Sequence, residues 1–112
     1  MAVYVSNLTV NTGTTFSQVF TLESAATNSA TDLTGFTAAA QMRKHPGSSS
    51  ATDFSTQIIN ATSGIIRVGL TTNQTGNLKP GRFVYDVLIT DTSGEVTRVL
   101  EGAVLVREGV TK

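Results

Sequence analysis

The sequence predicts an all-β fold: an antiparallel, Ig-like β-sandwich of about seven strands, with a small closed barrel as the alternative. Three observations lead there. Along most of the chain the side chains alternate with a period of two, and such residues leave opposite faces of a half-buried strand. The composition suits a pleated surface, with 19 Thr and 10 Ser accompanying Val, Ile, Phe and Tyr, types that pack well on a pleat. Turn-forming residues separate the alternating runs at sandwich or barrel spacing. At 112 residues the chain reads as one domain spanning residues 1–112.

The elements follow in order. A first strand covers about Val3–Val10, and Asn11-Thr12-Gly13 turns the chain into a second over Thr14–Leu22, where Phe16, Gln18, Phe20 and Leu22 share a face. A polar connection, Ala25–Asp32, leads to a third strand over Gly35–Arg43. There Phe36, Ala38, Ala40 and Met42 face one way, and the alanines leave a thin spot for a large neighbour to fill. The segment Lys44–Asp53 holds His45-Pro46-Gly47 and three serines, and Pro and Gly there stop strand pairing. Ser55–Asn60 and Ile65–Thr71 form a hairpin through Ala61–Gly64, and Thr72–Leu78 winds into one helical turn before Pro80-Gly81. Arg82–Thr90 and Glu95–Val106 form a second hairpin through Asp91-Thr92-Ser93-Gly94, with Gly94 suited to a positive φ. The last strand is expected to break near Gly102, because a glycine inside a strand marks a bulge or a close backbone approach.

Composition excludes several classes of function. With no Cys there is neither a disulfide framework nor a cysteine-ligated zinc site. Eight basic and eight acidic residues give a formal charge of zero, which argues against a nucleic-acid or membrane-surface partner. The N-terminal residues lack a basic region followed by an apolar stretch, so no signal peptide is read. The apolar runs are too short for a membrane span of about 20 residues.

Catalytic and metal constellations are not found either, and no cofactor is expected. The one His, His45, sits in a loop beside Pro46, without the rigid carboxylate partner that a nucleophilic triad needs. Asp91-Thr92-Ser93-Gly94 has the composition of a turn. Asp86, which interrupts an apolar run, is expected to face solvent or to pair with Arg98 on the adjoining strand rather than act as an acid or base. No calcium loop or Walker loop is present. Arg43, Lys44 and His45 form a small basic corner that reads as a solvated strand end.

A string of motifs runs through the chain in fixed order. It comprises Gly13-Thr14-Thr15-Phe16, then Asp32-Leu33-Thr34-Gly35-Phe36-Thr37 leading into Gln41-Met42-Arg43, then Gly64-Ile65-Ile66. It continues through Leu78-Lys79-Pro80-Gly81-Arg82-Phe83-Val84-Tyr85-Asp86-Val87 and Gly94–Gly102, and ends with Val104, Val106 and Val110-Thr111. The chain resembles small structural proteins of tailed bacteriophages, including the N-terminal β domain of the baseplate upper protein family. In these, Asp-Leu-Thr-Gly-aromatic, Pro-Gly-x-aromatic-x-Tyr-Asp and a glycine-broken final strand recur in this order. The resemblance covers most of the chain, from Gly13 to Thr111. The resemblance implies a non-enzymatic virion building block, assembled in the host cytoplasm. Its expected partners are other virion proteins of the capsid, neck, tail or baseplate, and copies of itself.

Strand edges and loops are the expected docking surfaces, because edges are ready pairing templates. The candidate interface residues are Tyr4, Val5 and Leu8 on the first strand, His45 and Pro46 in the loop, and Val110, Thr111 and Lys112 in the tail. A carbohydrate-binding or host-adhesion module is the competing reading. Such sites present an aromatic platform, and this chain has no Trp and two Tyr, with Tyr85 expected in the core.

Overall fold

A computed structural model describes residues 4–22 and 32–110. The strands are β1 (Tyr4–Val5), β2 (Leu8–Asn11), β3 (Phe16–Thr21), β4 (Thr37–Arg43), β5 (Thr52–Asn60), β6 (Ile65–Leu70), β7 (Gly81–Thr90) and β8 (Val96–Arg107), with one short helix, α1 (Thr72–Gly76). The all-β class holds, and the barrel alternative describes the architecture. The strands form one continuous path, β1-β8-β7-β4-β5-β6-β3, with β2 also on β8, and the sheet wraps into a nearly closed barrel.

Strand β5 makes the wrap. Its first residues, Thr52–Phe54, pair with β4, whereas Ser55–Asn60 pair with β6. One strand thus belongs to both halves of the sheet and carries the bend between them. Because β5 starts at Thr52, it takes in two residues of the expected Lys44–Asp53 loop. Register shifts at Ile58/Asn60 on β5 and at Val87/Leu88 on β7 add local twist, which is what bulges do in a curved sheet.

The expected purely antiparallel pairing is corrected at the N-terminus, where β1 and β2 both run parallel to β8. The single strand expected over Val3–Val10 is broken at Ser6-Asn7, so seven expected strands become eight. The last strand, in turn, does not break at Gly102. It is continuous from Val96 to Arg107, and its irregularity falls where Leu88 opposes Arg98 and Val87 opposes Leu100, leaving Val99 as the extra residue. The expected connection Ala25–Asp32 lies outside the described residues except for Asp32.

The alternating faces meet inside the wrap. Val10, Leu22, Met42, Ile66, Val68, Val87, Ile89, Val99 and Val104 are all buried there. Ala40 opposes Phe54 across the β4–β5 ladder, and the Phe54 ring fills the thin spot. It lies 6.1 Å from both the Phe16 and Tyr85 rings, within the range of favourable aromatic pairs.

Side-chain oxygens finish the turns. In the β7–β8 turn Asp91 Oδ1 accepts from the Ser93 and Glu95 amides and the Ser93 hydroxyl, and Gly94 has φ +91° as its turn position requires. Helix α1 is the expected single turn, opened by a capping box in which Thr71 and Gln74 satisfy each other's amides; this fills backbone donors that a helix start leaves unpaired. Thr75, fully buried, donates its hydroxyl to the Thr14 carbonyl at 2.7 Å and ties α1 to the β2–β3 turn. No helix among the described residues is long and apolar enough to cross a membrane.

Candidate functional site

β8 bonds to β7 on one side and to the N-terminal strands on the other. Tyr4 and Val5 pair with Leu100 and Glu101, and Leu8–Asn11 with Val104–Arg107, in one unbroken register. Between these pairings Ser6-Asn7 passes Gly102-Ala103 without ladder geometry, and local groups replace the ladder. The Ser6 amide donates to the Glu101 carbonyl at 3.0 Å, and the Ala103 amide donates to Asn7 Oδ1 at 3.0 Å. Tyr85 Oη, from the far side of β8, donates to the Ser6 carbonyl at 2.6 Å.

Gly102 makes this approach sterically feasible. A Cβ at that position would lie 2.9 Å from the Ser6 carbonyl carbon and closer still to its oxygen. Tyr85 opposes Gly102 in the β7–β8 ladder and is only 4% exposed. Burial pushes its phenol pKa above the ordinary value, and the bond to Ser6 partly offsets that rise. Together Ser6, Asn7, Tyr85 and Gly102 form a clasp that seats the N-terminal strand.

Beside the clasp, the outward side of β4, β7 and β8 carries an open groove of about 580 Å³. Val84 and Leu88 line it, with Val5 and Pro46 also on its wall. The expected cross-strand pair is present, with Arg98 Nε 3.2 Å from Asp86 Oδ2, and Arg98 also reaches Glu101 at 3.8 Å. Arg43 bonds to Gln41 and to the Ser48 carbonyl, fastening the loop after β4, and Gln41 passes the chain of bonds on to Asp53. The charged side chains Arg43, Asp53, Asp86, Arg98 and Glu101 on this face are therefore each engaged by a neighbouring group. Pairs this exposed are worth only about 0–1 kcal/mol each, so the network orders the surface more than it stabilises the fold.

The structure brings two of the expected interface residues, Val5 and Pro46, to this one groove. Val5 is 73% exposed. Tyr4 contributes backbone pairing in β1. Leu8 is corrected: it is 5% exposed and belongs to the core, because β2 lies against β8 with alternate side chains inward. His45 is exposed, and its carbonyl accepts from the Ser48 amide in a surface turn. Val110 is 98% exposed at the other end of β8. Thr111 and Lys112 lie outside the described residues.

Two carboxylates, Asp91 and Asp32, hold turns. The Ser93 hydroxyl and neighbouring amides hold the Asp91 carboxyl below the usual carboxylate range, and Thr34 does the same for Asp32. Among the described residues no three His, Asp or Glu side chains gather as metal ligands. Sequence reasoning located Gly102 as a close-approach point but missed Ser6 and Asn7 as the approaching segment. Nothing local in the sequence links positions 6 and 102. No protein-family model and no curated protein matches the chain.

Proposed function

We propose that this protein is a non-enzymatic virion structural protein, a small β-barrel unit that docks on other virion proteins and on copies of itself. The carrying observation is how the residues of the phage-like motif string are used. Asp32 ties down Thr34, Tyr85 holds Ser6, Asp86 pairs with Arg98, and Gly102 admits the N-terminal strand. These four motif residues serve the scaffold, as a shared building block requires.

The surface supports the same reading. Zero formal charge leaves little electrostatic repulsion between copies. Exposed apolar side chains such as Val5, Val19 and Leu105 are spread over several strands, which offers docking contacts on more than one side. Tyr85 lies in the core, so it supplies no aromatic platform for a sugar. The test is mass spectrometry of purified particles of the virus that encodes the chain. Finding the chain at a fixed copy number per particle supports the proposal, and its absence from particles refutes it.

A further inference from the structure

We infer that the open edge of β3 pairs with β3 of a second copy, antiparallel about a twofold axis. β3 is bonded on one side only, to β6, with Phe16 opposite Leu70 through Thr21 opposite Ile65. No ladder joins β3 to any other strand among the described residues, although only a short turn separates it from β2.

The backbone polarity of this edge follows from one bond. The Leu22 amide donates to the Gly64 carbonyl at 2.8 Å, which makes Leu22/Gly64 a hydrogen-bonded pair of the antiparallel ladder. Bonded and non-bonded pairs alternate, so Phe16, Gln18 and Phe20 also bond to β6. Ser17, Val19 and Thr21 therefore aim their amides and carbonyls away from it. At Val19 that carbonyl has, among the described residues, only the Gln18 side chain as a distant donor, at 3.5 Å.

Sequence and register favour a second copy as the occupant. Edge strands are ordinarily blunted by Pro, Lys, a bulge or an inward charge. Phe16–Leu22 has none of these: it carries no charge and no Pro, and its ladder is regular. A twofold axis through Val19 sets Val19 against its own symmetry mate and Ser17 against Thr21. The three outward residues then exchange about six backbone bonds. The side-chain pairs are Val with Val and Ser with Thr, both favourable across a ladder, and no like charges meet at the axis. The opposite margin of the sheet is less suited, since β1 and β2 are interrupted at Ser6-Asn7.

This inference extends the assembly reading and rests on it for relevance to the particle. Self-association of the purified chain tests the edge alone, whereas particle composition tests that reading alone. Sedimentation velocity over a wide range of protein concentration is the experiment. The expected result is a reversible dimer. Val19→Pro, which removes an outward amide that β6 does not use, should abolish it. Val19→Lys, which places like charges at the axis without touching the core, should weaken it by roughly tenfold or more. Ile59→Lys, an exposed change on β5 away from the edge, should leave it unaltered. A wild-type chain that stays monomeric throughout overturns the inference. So does a dimer indifferent to Val19→Lys, or open-ended growth, which would mean pairing of β3 with the β1–β2 margin instead.

Discussion

At one margin of the sheet, β1 and β2 are held to β8 by backbone bonds and also by Tyr85, Asn7 and the missing side chain of Gly102. At the other margin, β3 has its ladder to β6 and inward-facing Phe16 and Phe20, but nothing closes its outer side among the described residues. The two strands are consecutive in the chain, joined through Thr12–Thr15, and still do not pair. Thr75 on α1 bonds to Thr14 in that turn, fixing the turn to the helix rather than to a β2–β3 ladder. The difference separates two uses of an edge. A strand that must stay put is locked by side chains that fit only one partner, whereas a strand that keeps free backbone donors and acceptors remains able to join another chain.

The strongest way to break the comparison is Gly102→Ala. The added methyl collides with the Ser6 carbonyl, so β1 must lift and release Tyr85. Overpacking of this kind costs about 1–3 kcal/mol, and in urea this variant should unfold at the lowest denaturant concentration of the series. Tyr85→Phe keeps the ring packed and removes one bond to Ser6, a loss of about 1–2 kcal/mol. It also removes an alkaline effect. The Tyr85 pKa is raised in the fold, so the fold retains a proton that the unfolded chain gives up. That contribution is complete below the ordinary value of 10.0 and is lost as pH rises through the higher folded value. Wild-type stability should therefore fall more steeply than that of Tyr85→Phe as pH rises from 10.0 toward the folded value.

Asn7→Ala leaves the Ala103 amide to water and should cost about 0.5–1.5 kcal/mol in the same unfolding assay. On the β3 side, Ser17→Ala should change the stability of the monomer by less than about 0.5 kcal/mol, since that exposed hydroxyl holds no partner among the described residues. A larger loss would mean that β3 is locked too. Asp91 gives an effect that is read in its pH dependence. Its carboxyl pKa is lowered by the Ser93 hydroxyl and the turn amides, so its contribution is present above the ordinary value of 3.8 and lost as pH falls through the lower folded value. Asp91→Ala should flatten the acid limb slightly in a pH series of thermal melts.

Much of the barrel was legible because its signals are local. Alternation marked β3, β4, β6 and β7, Asp91–Gly94 marked a hairpin, and Thr72–Leu78 marked the single helical turn. Asp86 and Arg98 were also readable as a pair once two strands joined by a short turn were recognised. The parallel docking of the N-terminus was not legible, because Ser6 meets Gly102 through a contact between opposite ends of the chain. Leu8 was misplaced for the same reason: its side of the strand turns inward only when β8 lies beside it. The β3 edge was hidden differently. Phe16–Thr21 reads as an ordinary strand, and only the topology reveals that one of its sides has no neighbour.

Residue-resolved amide hydrogen exchange, repeated at low and high protein concentration, tests the contrast between the two margins most directly. In dilute solution Gln18, Phe20 and Leu22 should be protected, while Ser17, Val19 and Thr21 exchange quickly. At high concentration the second set should become protected as well, with the Ser6 and Ala103 amides slow throughout. If Ser17, Val19 and Thr21 exchange equally fast at every concentration, the β3 edge is not a joining surface. If they are already protected in dilute solution, the edge is closed within the monomer; either result contradicts the account.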